Sequence, residues 1–429
     1  MQARNLPLKS LANIKGIADT MKQQAKFIKR HIRNFIKRAQ KRRSFIKLCK
    51  KLPLDSKLIF FETFQGRGFS DSPKAIYLYM LNNPTYQDYN FVISLNNPDS
   101  ATDVIEQNER TSIVEAKSED YYRLLAQSKF IISNSIFDLS FKKRKGQFYI
   151  QTWHGTPLKR IGWDIKTKGN NVLNRPYQIR EMYRQDAIRY DLVTSPSPYF
   201  SKVFTSAFAL AKWNKEKTII ETGYPRNDVL IKHSPEDAKH LRKKYGIAEN
   251  KKIVLYAPTW REDKHTLTRG YEFDLKFDLD RLRKQFGETH FFIFKMHQFV
   301  SDYLNIPHDE VFRDLSSVSD INELFIISDV LITDYSSVFF DFALLQRPIL
   351  YYMYDLEKYR DETRGFYLDV HSLPGPVLTT EEELLQSLAN INHLDDKTAE
   401  QLNRFNQIYN PLEDGNSSKR VIDSFLQLS

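Results

Sequence analysis

Several short apolar segments of this sequence are followed at once by residues of the types that bind phosphate or move protons. The segment Tyr149 to Trp153 leads into His154-Gly155-Thr156-Pro157-Leu158-Lys159, and Ile253 to Tyr256 leads into Ala257-Pro258-Thr259-Trp260-Arg261. Two more segments end in Lys295-Met296-His297 and in Asp334-Tyr335-Ser336-Ser337. Because ligands of open α/β sheets bind beyond the carboxyl ends of the strands, these residues are the first candidates for a site.

His154 is a candidate general base. Gly155 lets the backbone come close to a ligand, and an imidazole on such a loop suits removal of a proton from an acceptor hydroxyl. A single histidine is more often structural. A second histidine at another strand end, His297, strengthens the catalytic interpretation of His154.

Phosphate ligands are expected from two further segments. Lys295 and His297 stand two residues apart, so their side chains leave the same face of an extended backbone and can meet one ligand; simple solvation of a strand end is the alternative. Ser336 and Ser337 open the helical pattern 338–345, where free N–H groups and the positive end of the helix dipole favour an anion. Either serine could also only cap the helix.

Asp341, Arg226 and Arg261 are candidates with weaker local signals. Asp341 lies one turn into the helical pattern and could accept from ligand hydroxyls, or it could be an ordinary exposed acid. Each arginine follows a proline-containing turn and is suited to bidentate phosphate contact. The sequence has no Walker P-loop, Rossmann glycine fingerprint, nucleophile elbow or clear Asp-x-Asp motif. We therefore expect a transfer that needs neither a metal ion nor a cofactor.

The elements that must hold these residues alternate between strand and helix patterns along two stretches of chain. The predicted strands are 58–62, 91–95, 130–133, 149–153 and 192–195, and, after Gly223-Tyr224-Pro225, 253–256, 291–294, 330–333 and 349–352. Predicted helices between them include 73–81, 120–126, 235–245, 279–286, 321–327 and 338–345. This alternation predicts an α/β protein with two parallel-sheet domains. We place them at residues 53–225 and 226–429, after an arm at residues 1–52.

The positive charge is concentrated in the arm. The chain of 429 residues carries a formal charge of +11, whereas residues 1–52 hold 16 Lys and Arg against a single acid, Asp19, and residues 53–429 carry a net −4. Composition therefore implies no polyanion-binding surface on the body, while an anionic partner is expected for the arm. The single cysteine, Cys49, permits no intrachain disulfide, which fits a reducing compartment.

The arm contains a predicted basic amphipathic helix within residues 22–51. Its apolar positions recur at helical spacing between lysines and arginines, and they are Phe27, Ile28, Ile32, Phe35, Ile36 and Ala39. Such a helix can lie in an anionic headgroup layer; a solvated helix and an RNA-binding arm are the alternatives. No apolar segment reaches the ~20 residues that cross a bilayer, and no signal peptide is recognisable. We expect a peripheral protein at the cytoplasmic face of the cell membrane, without a nucleic-acid partner.

Motifs between residues 58 and 370 follow a specific order. They are Phe61-Glu62-Thr63-Phe64-Gln65-Gly66, Asp71-Ser72-Pro73-Lys74-Ala75-Ile76, Trp153-His154-Gly155-Thr156-Pro157-Leu158-Lys159, Gly223-Tyr224-Pro225-Arg226-Asn227-Asp228, Tyr256-Ala257-Pro258-Thr259-Trp260-Arg261, Lys295-Met296-His297 and Leu331-Ile332-Thr333-Asp334-Tyr335-Ser336-Ser337. In this order the chain resembles the CDP-glycerol glycerophosphotransferase family of teichoic acid synthesis.

The resemblance implies a GT-B architecture, in which two Rossmann-like domains face a cleft and the C-terminal domain holds most of the nucleotide donor. It implies that His154 is the base and that His297 contacts the donor phosphates. The further donor contacts that it implies are Gly155, Thr156, Pro157, Leu158, Arg226, Pro258, Thr259, Lys295, Met296, Ser336, Ser337 and Asp341.

Together these features predict a transferase that moves glycerol phosphate from CDP-glycerol to an undecaprenyl-diphosphate-linked acceptor and releases CMP. Three alternatives stay open. CDP-ribitol could replace CDP-glycerol as the donor, or a GT-B enzyme of this kind could transfer a sugar from a nucleotide-sugar. A non-catalytic membrane scaffold that binds polyanions is the third. Transfer of a single unit as a primase and of many units as a polymerase are equally compatible with the motifs.

Overall fold

Two parallel β-sheets with helices on both faces form the body of the protein. The computed structural model describes residues 33, 36–101, 108–166, 176–259, 265–266, 270–271, 275–296, 306–363, 365–391 and 395–428. His297, Trp260 and Arg261, which were singled out in the sequence, lie outside these ranges.

The first sheet has seven strands. In chain order they are β1 (Asp55–Glu62), β2 (Asn90–Leu95), β3 (Thr111–Glu115), β4 (Ser128–Ser133), β5 (Phe148–Gln151), β6 (Leu192–Ser195) and β7 (Ile219–Glu221). They lie side by side in the order β3-β2-β1-β4-β5-β6-β7, and each neighbouring pair is parallel. This is the Rossmann order with one strand added, and its winding reverses between β1 and β4.

The second sheet repeats the same winding. The strands of this half are β8 (Lys252–Tyr256), β9 (His265–Thr266), β10 (Gly270–Tyr271), β11 (His290–Phe294), β12 (Phe312–Asp314), β13 (Val330–Thr333), β14 (Ile349–Tyr352) and β15 (Val377–Leu378). The sheet order is β12-β11-β8-β13-β14-β15, while β9 and β10 form a separate antiparallel pair. The reversal here lies between β8 and β13, so the turns after these two strands border the expected ligand crevice.

The helices connect the strands and cover the sheets. They are α1 (residues 36–51), α2 (Asp71–Leu81), α3 (Glu119–Gln127), α4 (Pro176–Ala187), α5 (Pro198–Ala207), α6 (Asp228–Lys232), α7 (Pro235–Lys244), α8 (Leu279–Phe286), α9 (Ile321–Ile327), α10 (Val338–Phe342), α11 (Leu356–Lys358), α12 (Glu381–Asn390), α13 (Asp396–Tyr409) and α14 (Ser417–Leu426). Each strand and helix predicted for the two domains has a counterpart within three residues of its predicted bounds.

An apolar cluster lies on each face of each sheet. Along β1, Phe60 belongs to one cluster, while Ile59 and Phe61 belong to the cluster on the opposite face. Along β8, Leu255 belongs to the cluster on one face of the second sheet and Val254 to the cluster on the other. Successive side chains of a strand point to opposite faces, so strands covered on both faces are continuously apolar, which is typical of parallel sheets.

The chain crosses between the two sheets twice. The first crossing leads from β7 into α6 and the second from α13 into α14. The Asp228 carboxylate on the first crossing accepts hydrogen bonds from the backbone N–H groups of Ser417 and Ser418 on the second, each at 2.8 Å. Helix α14 then packs against the first sheet, where the Phe425 ring lies 5.0 Å from the Phe130 ring. The domain limits proposed from the sequence stay predictions.

Helix α1 contacts the first domain through its C-terminal half. The Phe45 side chain is 1% exposed, and its ring centroid lies 5.5 Å from that of Phe141. Ile36, in the N-terminal half, is 49% exposed, while the stripe positions Phe27, Ile28, Ile32 and Phe35 lie outside the described residues. No helix in the described part of the chain is long and apolar enough to cross a membrane. Membrane association of the arm stays a prediction.

Candidate active site

The turn after β5 presents His154 to the cleft between the domains. Trp153 adopts a left-handed backbone conformation with φ 54°, which is uncommon for a bulky residue. Gly155 follows with φ 150°, a conformation that favours glycine. This turn directs Trp153 into the core of the first domain while His154 stays exposed to the cleft.

The imidazole of His154 is held on three sides. Its Nδ1 lies 2.6 Å from the backbone oxygen of Asn134, the residue that follows β4. The ring centroid lies 4.3 Å from that of Trp153 and 5.8 Å from that of Phe64. Because a carbonyl oxygen can only accept, Nδ1 carries the proton in the neutral ring, and Nε2 keeps a lone pair. This tautomer is the one a general base needs.

The surroundings of His154 also favour its neutral form. Desolvation by the protein atoms around the ring lowers the pKa of His154 below its usual range, and the positive charges of Arg226 and Arg67 act in the same direction. The hydrogen bond with Asn134 and the negative charge of Asp71 partly oppose these effects. At neutral pH the imidazole is therefore unprotonated and able to accept a proton.

On the opposite wall of the cleft, one buried carboxylate organises the turns after β8 and β13. Asp334 is 2% exposed and accepts hydrogen bonds from the backbone N–H groups of Thr259, at 2.7 Å, and of Tyr335, at 2.5 Å. These turns flank the reversal of winding in the second sheet. Asp334 thus fixes Pro258 and Thr259 relative to the start of α10.

Ser337 lies at the start of α10 and next to the His154 loop. Within the described residues its side chain makes no capping hydrogen bond to the helix, so it does not act as a side-chain cap here. A Cβ atom at Gly155 would lie 2.5 Å from Ser337 Oγ. The two domains therefore approach each other closely at these two residues, and glycine is what makes that approach possible.

Two adjoining cavities lie between the domains beside His154. One has a volume of about 290 Å³ and is lined from both domains by Trp153, His154, Gly155, Thr156, Pro157, Leu158, Lys159, Ile161, Pro258, Thr259, Tyr335, Ser336 and Ser337. The other, also about 290 Å³, shares Pro258 and Ser336 with the first and adds Lys295, Met296 and Phe64. Because they share Pro258 and Ser336, the two cavities together extend from His154 of the first domain to Lys295 of the second.

Lys295 is engaged in holding a loop beside the second cavity. Its Nζ donates to the backbone oxygens of Ser316 and Val318, each at 2.7 Å. Desolvation lowers the pKa of Lys295 to about 8, against the opposing effects of Asp314 and Asp320. The ammonium therefore positions the segment between β12 and α9, and its predicted contact with donor phosphate stays a prediction.

Arg226 and Asp341 are buried, do not line these two cavities, and bind each other. The Arg226 Nε and Nη2 atoms donate to the two carboxylate oxygens of Asp341, each at 3.0 Å. Arg226 Nη1 donates to Asp71 Oδ1 at 3.2 Å. The guanidinium thus joins carboxylates of the two domains, a role that the sequence did not suggest, and its predicted phosphate contact stays a prediction.

The fold brings most of the predicted site together. The first cavity collects His154, Gly155, Thr156, Pro157, Leu158, Pro258, Thr259, Ser336 and Ser337, and the second collects Lys295 and Met296. Asn134 and Phe64, which hold the imidazole, were missed as site residues. Asn134 directly follows a predicted strand, so the same strand-end rule could have found it.

Within the described ranges, no group of three or more His, Cys, Asp or Glu side chains lies close enough to hold a metal ion. His297 is outside those ranges. The expectation of a metal-independent transfer stays a prediction.

Comparisons with known proteins identify the family. The profile of the CDP-glycerol:poly(glycerophosphate) glycerophosphotransferase family matches residues 44–427. A teichoic acid poly(glycerol phosphate) polymerase of Staphylococcus epidermidis is 37% identical over 400 residues, covering 92% of this chain and 54% of that protein. The chain thus spans about half the length of this relative. The corresponding polymerase of Bacillus spizizenii is 37% identical over 382 residues, covering 87% of this chain and 93% of that protein.

Among solved structures, the wall teichoic acid polymerase TagF superposes with a TM-score of 0.81 and 34% identity, over 94% of this chain and 97% of that one. A variant of TagF has been solved after soaking with CDPG. This likeness confirms the predicted α/β fold of GT-B type. The chain therefore belongs to the CDP-glycerol:poly(glycerophosphate) glycerophosphotransferase family, which confirms the family and the enzyme class that its motifs resembled.

Proposed function

We propose that this cleft transfers glycerol phosphate from CDP-glycerol to a terminal hydroxyl of an undecaprenyl-diphosphate-linked acceptor and releases CMP, in the synthesis of a teichoic acid-type polymer. The observation that carries the proposal is the arrangement of the first cavity. A neutral imidazole with its Nε2 lone pair lies on one wall, and the start of α10 at Ser336 and Ser337 lies on the other.

His154 accepts the proton in the proposed step. Its Nε2 takes the proton of the acceptor hydroxyl, and the hydroxyl oxygen forms a bond with the phosphorus that carries glycerol. The bond from that phosphorus to the bridging oxygen breaks, so CMP leaves with the electron pair. The proton remains on His154 until it passes to solvent or product.

Groups of the second domain stabilise the negative charge that develops on the donor phosphates. The N–H groups at the start of α10 and the dipole of its turn favour an anion beside Ser336 and Ser337. His297, predicted from its motif to contact the phosphates, belongs to the segment that follows Met296. Preorganised donors of this kind stabilise the transition state more than the bound substrate.

The acceptor is proposed to reach the cleft from an anionic membrane surface at which the enzyme sits peripherally. The supporting feature is the charge of residues 1–52, whose 16 cations contrast with the net −4 of residues 53–429. Both a lipid diphosphate and the headgroups around it are anionic. One basic arm can therefore attract the enzyme to the membrane surface and also attract the acceptor.

The direct test incubates the full chain with a lipid-linked acceptor and either CDP-glycerol, CDP-ribitol or a nucleotide-sugar. We expect CMP release and product growth with CDP-glycerol. Preference for CDP-ribitol would change the donor within the same chemistry, and activity only with a nucleotide-sugar would make the chain a glycosyltransferase. No nucleotide release with any donor would favour the non-catalytic scaffold.

Removal of divalent ions is expected to change turnover little. The proposed donor site consists of protein groups alone, so an excess of EDTA should leave transfer within about twofold of its starting rate. The measurement is CMP release before and after chelation and after re-addition of Mg²⁺. Complete loss in EDTA, restored by Mg²⁺, would overturn the metal-independent proposal.

Shortening the arm is expected to release the enzyme from anionic vesicles. Because Phe45 is buried in the first domain, the truncated chain should start at Arg33, so that α1 remains. It should still bind CDP-glycerol but act poorly on acceptor embedded in membranes. Raising salt from about 0.1 M to 1 M shortens the Debye length from about 10 Å to 3 Å and should weaken vesicle binding of the full chain as well.

A control that changes the net charge without touching the arm shows whether vesicle binding depends on the arm itself or only on the charge of the whole protein. Reversing three exposed lysines elsewhere, by Lys217→Glu, Lys239→Glu and Lys397→Glu, should weaken sedimentation with anionic vesicles much less than the truncation does. Equal binding by the full and the shortened chain would place the membrane contact on residues 33–429 and would contradict a role for residues 1–32.

A further inference from the structure

One continuous set of polar contacts leads from the donor-side domain to the catalytic imidazole. Arg226, on the first crossing between the domains, binds Asp341 of α10 through two hydrogen bonds of 3.0 Å. It binds Asp71 at the start of α2 through a third, of 3.2 Å. The side chains of Arg226, Asp71 and Asp341 are 6%, 8% and 9% exposed, so the contacts are shielded from water.

From Asp71 the contacts continue to His154 through one asparagine. Asp71 Oδ2 accepts from Asn134 Nδ2 at 2.9 Å, and the backbone oxygen of Asn134 accepts from His154 Nδ1 at 2.6 Å. Asn134 Oδ1 accepts from the backbone N–H of Phe64 at 2.9 Å. Asn134 is fully buried. The Nδ2 and Oδ1 atoms of the Asn134 side chain are therefore both hydrogen-bonded. Because the side chain is held in this way, the backbone oxygen of Asn134 is a fixed acceptor for the imidazole.

The backbone of Asp71 supports a dedicated role for its carboxylate. Asp71 begins α2 in a left-handed conformation with φ 63°, which costs free energy for any residue other than glycine but is best tolerated by Asp and Asn. In that conformation one carboxylate meets Arg226 with Oδ1 and Asn134 with Oδ2. Observed strain of this kind is a reason to look for function.

We propose that Asp71, Arg226 and Asn134 are positioning residues that hold His154 in its proton-accepting orientation only while Arg226 spans both domains. Asp341 lies in α10, directly after Ser336 and Ser337, which are proposed to lie beside the donor phosphates. Movement of the second domain away from the first would separate Asp341 from Asp71 and release the anchor of the imidazole. The orientation of His154 thus depends on whether the second domain is closed onto the first. This inference rests on the proposed role of His154 as base.

The test compares Asp71→Asn with a second ion pair between the same domains. Asparagine keeps the shape of Asp71 and tolerates its left-handed backbone, but it removes the charge that holds Arg226. We expect kcat to fall about tenfold, with KM for CDP-glycerol changed less than threefold. Lys74, also on α2, pairs with Asp320 of the second domain at 3.4 Å, and in the described part of the chain it is not among the charged groups that act on His154. Lys74→Met should keep kcat within about twofold.

A pH profile distinguishes positioning from mere stability of the interface. The charged groups that act on His154 are Asp71, which raises its pKa, and Arg226 and Arg67, which lower it. The acid limb of kcat should therefore move to lower pH in Asp71→Asn and to higher pH in Arg226→Gln, while Lys74→Met leaves it in place. If Asp71→Asn fails to fold, the upward shift in Arg226→Gln carries the test.

The tautomer of His154 provides a measurement that needs no substrate. In full-length protein labelled with ¹⁵N-histidine, the His154 signals are assigned by their loss in His154→Ala. We expect Nδ1 to be protonated in the wild type and the two tautomers to be mixed in Asp71→Asn. Because this spectrum is independent of turnover, failure of the proposed reaction would leave it unchanged. An unaltered His154 spectrum in Asp71→Asn, or equal losses of kcat in Asp71→Asn and Lys74→Met, would overturn the inference.

Discussion

Replacing His154 with alanine is expected to lower glycerophosphate transfer by about 10²-fold or more, while the protein stays folded and still binds CDP-glycerol. The side chain is exposed to the cleft, so its removal leaves no large void in the core. Its loss removes the only proposed acceptor for the proton of the attacking hydroxyl. Isothermal calorimetry with CDP-glycerol and a CMP-release assay measure the two properties separately.

His240→Ala is the matched control, because His240 is an exposed histidine on α7. It should keep full activity. A folded His154→Ala protein with near-normal turnover would remove His154 from the mechanism. In the wild type, activity should be present above the pKa of His154 and be lost as pH falls through it. Because desolvation lowers that pKa, the acid limb should lie below about pH 6.5, the ordinary value for histidine.

Gly155→Ala is expected to have the second largest effect, a loss of about 10²-fold in transfer. A Cβ atom there would lie 2.5 Å from Ser337 Oγ and 3.1 Å from Ser337 Cβ, and φ 150° is strained for alanine. The domains must separate or the turn must move, and displacement of a catalytic group by about 1 Å can cost about 10²-fold in rate. The measurement is kcat and KM for CDP-glycerol together with the thermal midpoint.

Gly246→Ala is the control for backbone strain alone. Gly246 also has a left-handed conformation, with φ 62°, but it precedes β8 and faces Arg313 away from the cleft. It should lower stability while leaving kcat nearly unchanged. Equal activities of Gly155→Ala and the wild type would show that close approach of Gly155 and Ser337 is unimportant for the reaction.

The central strands were predictable because they are buried on both faces. β1, β8 and β13 appear in the sequence as unbroken apolar segments, as parallel strands between two helical layers do. The strands that were not predicted in the two sheets are β3, β7, β12 and β15, which occupy the outer positions. β7 is half exposed and three residues long, and β15 has two residues. Such edge strands carry too little apolar pattern to be recognised.

The cavity-lining residues were predictable for a related reason. Polar groups directly after buried strands converge at one edge of a parallel sheet, and this rule alone collected His154, Pro258 and Ser336. The family resemblance then added the neighbours of these residues and their roles.

The binding partners of Arg226 could not be predicted from the local sequence pattern. A proline turn followed by arginine suggested a phosphate ligand, but the partners of the guanidinium, Asp71 and Asp341, lie 155 and 115 residues away. Long-range pairing of this kind depends on how the domains meet. The same is true of Lys295, whose ammonium binds the backbone oxygens of Ser316 and Val318.

The most direct test of the account follows the phosphorus that carries glycerol. CDP-glycerol labelled with ³²P in the phosphate next to glycerol is incubated with the full chain and lipid-linked acceptor, and nucleotides are separated from product. If the acceptor hydroxyl attacks this phosphorus, the label appears in the lipid-linked product and the released CMP is unlabelled. Labelled CDP in the nucleotide fraction, with unlabelled product, would mean that the bond broken lies on the glycerol side, and it would contradict glycerophosphate transfer in this cleft.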